Sequence, residues 1–172
     1  LGAKTTLVSG PTSLAEPNVE QVIKVNSADQ MLEACESSLP ADIAVCAAAV
    51  ADYKIANKEI AKIKKDGSRQ NIILEENPDI LERLSKRNHL RPKLVVGFAA
   101  ETSNLERNSD EKLNKKGCDW VLGNNVSENS IFNQDTNKIY FTSKLYSENW
   151  ELMTKKEVAK KLCQKISLHL NN

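Results

Sequence analysis

The sequence predicts an open α/β sheet, mostly parallel, with helices on both faces. Three observations carry this. Short apolar runs alternate with amphipathic helical segments along the whole chain. One run, Leu94 to Ala99, is almost continuously apolar, the pattern of a strand buried on both sides. The residues that close the strand-like runs are small or polar: Ser9-Gly10-Pro11, Ala47 to Asp52, Gly97 to Thr102 and Gly123 to Asn125. In open α/β sheets ligands bind beyond the carboxyl ends of the strands, and such residues leave room for them.

Each element has its own local signature. Thr5 to Ser9 is an apolar strand stopped by Gly10-Pro11, and Gln21 to Val25 is a second, short one. Ser27-Ala28-Asp29-Gln30 reads as a capping box that opens a helix to about Ser38, with Met31, Leu32 and Cys35 on one face. Ile43 to Ala48 is a buried strand. Asn71 to Leu74 is β-prone and is expected to pair with a piece of the loop before it. Asn77 reads as an N-cap with Pro78 at the first helical position; that helix turns Ile80, Leu81 and Leu84 inward and ends near Asn88. After the Leu94–Ala99 strand, Asn104 to Lys116 is a polar helix closed by Gly117. Trp120 to Leu122 is a strand running into Gly123-Asn124-Asn125, and Lys138 to Thr142 is a later, peripheral one. Thr154-Lys155-Lys156-Glu157 is a second capping box, and Val158, Leu162, Ile166 and Leu170 line the last helix. No repeat, low-complexity segment or linker breaks the series, so residues 1–172 read as one domain.

Composition narrows the function classes. The chain is 40% hydrophobic and 27% charged, with a net charge of +1. No global field draws it to nucleic acid or to an anionic membrane, so an anion site must come from local clustering. The longest apolar stretch, around Ile43 to Ala51, is far too short to span a bilayer. Cys35, Cys46, Cys118 and Cys163 lack zinc-like spacing, and three of them lie in apolar periodic segments. Buried free thiols in a reducing compartment, the cytoplasm, are the expectation. Leu1-Gly2-Ala3-Lys4 reads as a helix end with its Gly cap running straight into a strand, which implies further polypeptide upstream.

Local clustering is found after the Ile43–Ala48 strand. Ala47-Ala48-Ala49-Val50-Ala51 offers backbone that a ligand can approach closely, Asp52 adds a carboxylate, and Lys62-Ile63-Lys64-Lys65 follows as a cationic patch. Close backbone approach, one acid and several lysines suit a nucleotide. The plain alternative is a buried strand end followed by a solvated basic loop. The convergence of several small or polar strand ends favours the nucleotide. The chain holds neither G-x-x-x-x-G-K-[ST] nor G-x-G-x-x-G, so neither a P-loop NTPase nor a dinucleotide fingerprint is supported.

Five motifs together resemble phosphopantothenoylcysteine synthetase of the bacterial, CTP-dependent type, usually the C-terminal half of a bifunctional coenzyme A biosynthesis protein. They are Val8-Ser9-Gly10-Pro11-Thr12, Ala48-Ala49-Val50-Ala51-Asp52-Tyr53, Lys62-Ile63-Lys64-Lys65, Asn77-Pro78-Asp79-Ile80 and Val96-Gly97-Phe98-Ala99-Ala100-Glu101-Thr102. They occur in the family's order, and the resemblance runs from Leu1 to about His169. It implies a Rossmann-like fold and a ligase that joins 4′-phosphopantothenate to L-cysteine. CTP, with Mg²⁺, would activate the carboxylate as an acyl-cytidylate and release pyrophosphate; the cysteine amine would then displace CMP.

The resemblance also implies site residues. Cys46, Ala47 and Ala48 match backbone that meets the nucleotide, and Asp52 matches an acid suited to ribose hydroxyls or base. Lys62 matches the first lysine of the family's K-x-K-K, whose ammonium can offset charge on the triphosphate and on the pentacoordinate phosphorus. Lys64 and Lys65 are weaker candidates. Asn77, Pro78, Asp79 and Ile80 match a cytidine-contacting stretch. Phe98 matches a residue that packs by the nucleotide, though a strand-end aromatic equally suits the core. Lys112 and Lys116 match two lysines that reach the nucleotide; alone, they would read as a solvated helix face. No residue is singled out as a metal ligand. His89 and His169 read as surface residues, and Glu101 and Asn125 sit at strand ends without an assigned step.

Further expectations follow from the family. It usually works as a homodimer, for which the Asp52 to Leu74 loop is a candidate protruding arm. A flavoprotein decarboxylase domain acting on phosphopantothenoylcysteine is often fused or associated. A first strand and helix, a Ser-Gly-Lys-Met-Gly-like turn and an Asn serving the second half-reaction precede the matched segment, so Lys4 to Gly10 corresponds to the family's second strand. Part of the acyl-phosphate pocket is thus expected outside these residues. The rivals from other classes are a non-catalytic nucleotide-binding regulatory module and, less favoured, a dinucleotide-dependent oxidoreductase.

Overall fold

Leu94, Val95 and Val96 are completely buried, and the strand that holds them explains the architecture. In the computed structural model, which describes residues 2–57, 71–126 and 136–171, the chain runs β1 (Thr6–Ser9), β2 (Gln21–Lys24), α1 (Ala28–Ser37), β3 (Ile43–Cys46), β4 (Tyr53–Ile55), β5 (Leu74–Glu76), α2 (Ile80–Ser85), β6 (Leu94–Glu101), α3 (Leu105–Lys116), β7 (Trp120–Asn125), β8 (Thr136–Ser143), β9 (Ser147–Thr154) and α4 (Lys155–Leu170). β6 lies inside a five-stranded sheet of order β3-β6-β7-β8-β9. β3, β6 and β7 are parallel; β8 and β9 extend the sheet antiparallel.

Alternate side chains of β6 enter two different cores, which is why its apolar run is continuous. Leu94 and Val96 join Trp120, Leu122, Phe141 and Trp150 under Val158, Leu162 and Ile166 of α4. Val95 and Ala99 join Leu81, Leu113, Cys118 and Val121 beneath α2 and α3. Helices thus cover both faces, as expected of this fold class. α2 and α3 sit close on the sheet because Gly97 and Gly123 have no Cβ. One added at Gly97 would come within 2.6 Å of Leu81 Cδ2; one added at Gly123 would collide with Ser109 Oγ and lie 2.8 Å from Leu105 Cδ1. Ser109 is fully buried on α3, so a shift there must be absorbed by the packing around it. Gly123→Ala should therefore destabilise the fold by ~1–3 kcal/mol, the usual cost of overpacking. A thermal melt checks this; an unchanged midpoint would show that α3 lifts off without cost.

Two strand pairs stand outside the main sheet. β1 and β2 pair in parallel, and β4 and β5 form an antiparallel ribbon in the register Tyr53 to Glu76. The ribbon is the expected pairing of the β-prone segment with the preceding loop, displaced so that the second strand begins at Leu74 rather than at Asn71. Its apolar residues face outward: Tyr53, Ile55 and Leu74 are about half exposed, and Ile72 and Ile73 more so. Among the described residues β1 pairs only with β2, and β3 only with β6.

Several boundaries differ from the sequence reading. The strand expected over Ile43–Ala48 stops at Cys46. The helix expected to be capped by Asn77 is capped by Asp79, whose side chain accepts the Glu82 N–H at 2.9 Å, and it ends at Ser85 rather than near Asn88. Asn77 is committed elsewhere: its side chain donates to the Ala51 carbonyl and its N–H to the Asp52 carbonyl, both at 2.8 Å. Ser27 caps α1, but Gln30 Oε1 accepts the N–H of Asn26, one residue upstream of a closed capping box. The Thr154–Glu157 box is complete, and Gly117 closes α3 with φ 69°. Leu170, expected on the inner face of α4, is exposed because the last turn outruns the core. The strand of the expected Lys138–Thr142 is longer, Thr136–Ser143, and β9 follows it where no strand was expected. The four cysteines are free as expected, but only Cys118 is buried. Cys163 lies on the outer face of α4 and is exposed.

Candidate functional site

The last pairing between β3 and β6 is Cys46 with Gly97, yet β6 continues to Glu101. Beyond Gly97, therefore, the edge of β6 that faced β3 is released and the chain from β3 diverges as Ala47–Asp52. This divergence at the carboxyl ends of parallel strands makes the crevice in which such sheets bind ligands. Ala47, Ala48 and Asp52 are exposed along it.

The two Asn77 hydrogen bonds fasten the Asn77–Ile80 turn onto Ala51 and Asp52, so two motifs far apart in sequence become one wall. Asp79 and Pro78 are half-buried there, whereas Ile80 is a buried core residue that offers the site only its backbone. α3 supplies the facing wall. Lys112 and Lys116, one turn apart, both reach inward: Lys112 Nζ donates to the Phe98 carbonyl at 2.7 Å, and Lys116 Nζ pairs with Asp79 Oδ2, with Glu82 Oε2 at 3.9 Å. Neither is the freely solvated lysine that the helix face alone would suggest.

Charge in this crevice is nearly balanced. Burial alone would raise the Asp79 pKa, but the bonds from Lys116 and the Glu82 N–H outweigh it and hold the carboxyl below its ordinary value. The bond to Asp79 raises the Lys116 ammonium above its usual range. Burial, reinforced by Cys35, Cys118 and Asp79, pushes the Cys46 thiol up to about 12, so it stays protonated and is no nucleophile. Asp79, Glu82 and Asp52 act on Lys116, and Asp79 also on Lys112, three acids against two lysines, which suits hydroxyl and base edges better than a bare triphosphate. A triphosphate would need further cations. Lys62, Lys64 and Lys65, the residues expected to provide them, lie outside the described residues.

The structure brings Cys46, Ala47, Ala48, Asp52, Asn77, Pro78, Asp79, Lys112 and Lys116 to this crevice. It treats Phe98 differently: the ring packs against the α4-side core, and only the backbone carbonyl turns toward Lys112. Glu101, left without a step, ties β6 to α3 by accepting from Asn108 Nδ2 at 2.8 Å. His89 and His169 are exposed, as expected, although the His169 ring also meets Trp120 edge-on, centroids 5.2 Å apart. The Asp79–Lys116 pair was not expected from sequence; its members are 37 positions apart and share no local pattern. Among the described residues no group of three or more His, Cys, Asp or Glu is arranged to hold a metal ion.

Residues 1–169 match the family model of the DNA/pantothenate metabolism flavoprotein C-terminal domain. The chain belongs to this family. It is 37% identical over 166 residues to the coenzyme A biosynthesis bifunctional protein CoaBC of Haemophilus influenzae, covering 96% of this chain and 41% of that protein. A crystal structure of the C-terminal domain of a coenzyme A biosynthesis bifunctional protein CoaBC superposes with a TM-score of 0.78 at 32% identity, over 99% of this chain and 76% of that one. A cysteine/cysteine sulfinic acid decarboxylase of an unknown prokaryotic organism is 36% identical over 170 residues, 96% of this chain and 47% of that protein. The chain spans less than half the length of these curated relatives. With the solved C-terminal domain the chain shares the open α/β fold.

Proposed function

We propose that this chain is the ligase domain that joins 4′-phosphopantothenate to L-cysteine at the expense of CTP. The observation that carries the proposal is the joining of Ala47–Asp52 to Asn77–Ile80, opposite Lys112 and Lys116, at the released edge of β6. In this reading the base and ribose lie in the nearly neutral crevice, against the Cys46–Ala48 backbone and Asp52. The triphosphate, arriving as its Mg²⁺ complex, extends toward Lys62. Mg²⁺ is held chiefly by substrate phosphates in such sites and needs no protein cage of its own. The phosphopantothenate carboxylate attacks the α-phosphorus, forming the acyl-cytidylate and releasing pyrophosphate. The cysteine amine then attacks the acyl carbon, CMP leaves with the bonding electron pair, and the amide forms.

The β4–β5 ribbon is the proposed homodimer arm. A two-stranded ribbon is marginal by itself, and this one presents Tyr53, Ile55, Ile73 and Leu74 to the outside. Fusion to, or association with, a decarboxylase domain fits the bifunctional relatives. A cytoplasmic site of action is in keeping with the free thiols; no described helix is long and apolar enough to cross a membrane. One relative is named for a decarboxylase, but more than half of that protein lies outside the match, so its chemistry need not lie in this domain.

Nucleotide choice tests the reading. A ligand that binds only the native state stabilises it by about 2.7 kcal/mol at a hundredfold excess over Kd. For a chain of this size that raises the melting temperature by roughly 5–10 °C. CTP with Mg²⁺ should give such a shift and ATP a smaller one at equal concentration. Equal shifts would remove the cytidine assignment. Pyrophosphate release that requires phosphopantothenate, with sustained turnover to CMP that requires cysteine as well, separates the ligase from a non-catalytic binding module, and an absorbance change of a reduced dinucleotide would reveal an oxidoreductase.

A further inference from the structure

Both oxygens of the Asp79 carboxylate are engaged. Oδ1 accepts the Glu82 N–H at 2.9 Å and caps α2; Oδ2 pairs with Lys116 Nζ. The cap fixes the carboxylate to the first turn of α2, and that helix is in turn anchored by the buried Ile80, Leu81 and Leu84. Lys116 is the opposite kind of group, an ammonium at the end of a flexible four-carbon stem. Its side chain is nevertheless only 19% exposed. Of the acids that face it, Glu82 stands at 3.9 Å and Asp52 acts only at longer range, so among the described residues Asp79 is its one close, rigid partner.

We propose that Asp79 is a positioning residue: it holds Lys116 against the crevice, so that a nucleotide meets the ammonium already in place. In this arrangement the Asp79 side chain acts on the ligand through Lys116. Immobilising a lysine costs rotamer entropy, and a partner that has already fixed it removes that cost from binding. The proposal rests on the nucleotide reading above and adds to it how the far wall is kept ready.

The test is a double-mutant cycle read by calorimetric titration with CTP and Mg²⁺, with a melting curve for each protein. Asn caps a helix as well as Asp does, so Asp79→Asn keeps the α2 cap and removes only the charge that holds Lys116. It should melt within a few degrees of the parent and bind about tenfold more weakly, the scale of coupling between contacting residues. Lys116→Met should lose a similar factor, and the double variant should bind no more weakly than Lys116→Met alone. Should Asp79→Asn fold poorly, Asp79→Ser also caps and also lacks the charge. Unchanged or tighter binding by the uncharged variants would overturn the proposal, since Asp79 would then compete with the nucleotide for Lys116. A loss that persists in the Lys116→Met background would overturn it as well, by showing direct contact. If the parent binds a different nucleotide, only the cytidine assignment falls and the cycle is run with that nucleotide. If it binds none, the function reading and this proposal fall together.

Discussion

Replacing Lys62 with Gln should lower turnover by roughly ten- to a thousand-fold, the scale of a lost contact to developing charge. The expectation comes from the chemistry. As the carboxylate attacks, negative charge builds on the α-phosphoryl oxygens, and the described part of the crevice has little net positive charge: Lys116 is paired with Asp79, with Glu82 and Asp52 also near it, and Asp79 lies near Lys112 as well. Beside the Mg²⁺ on the triphosphate, a cation outside that wall would meet the charge, and Lys62 is the residue that the family resemblance assigns to it. Gln keeps much of the length and loses the ammonium. The assay should use a polypeptide that includes the upstream strand and turn implied by the resemblance, and should follow pyrophosphate release at saturating substrates. A raised KM with unchanged turnover would mean that Lys62 serves ground-state binding, and Lys64 or Lys65 would become the better candidate.

Trp150→Ala should have the largest effect on the fold, a loss of ~3–5 kcal/mol, typical of a buried aromatic cut back to Ala. Trp150 is 1% exposed although it sits on the edge strand β9. Its ring lies parallel to Phe141, centroids 5.9 Å apart, its Nε1 donates to Glu148 at 2.7 Å, and Lys161 Nζ stands 4.5 Å from its centroid. Truncation leaves a cavity between β9 and α4 and strips Glu148 of a donor. Against a usual total stability of about 5–15 kcal/mol, such a loss is a large share. Urea unfolding measures it. A loss below about 1 kcal/mol would mean that β9 and α4 close over the gap.

The parallel part of the sheet was legible because burial on both sides writes itself into consecutive residues, as at Leu94–Ala99. β9 was not, because an edge strand needs few apolar residues: Ser147 to Thr154 buries only Trp150 deeply, and the rest reads as polar loop. The start of α2 was misread because Asn77-Pro78 is a sound local signal for a helix start, yet Asn77 is drawn to Ala51 by a contact across 26 positions. The same limit applies to the site. The motifs showed which segments belong to it, and the backbone logic of open sheets showed where. That Asp79 holds Lys116, and that Lys112 seeks a carbonyl rather than solvent, depends on α2 and α3 being brought together over Gly97 and Gly123, which no local pattern records.

At position 98 the two faces of β6 divide the labour within one residue. The ring belongs to the core beneath α4, while the carbonyl belongs to the crevice and receives Lys112. A scan that replaces side chains one at a time would therefore score Phe98 by how far the protein melts and would miss its part in the site, because every replacement restores the same carbonyl. Only a change to the main chain itself, such as an ester in place of an amide, could make that contribution visible.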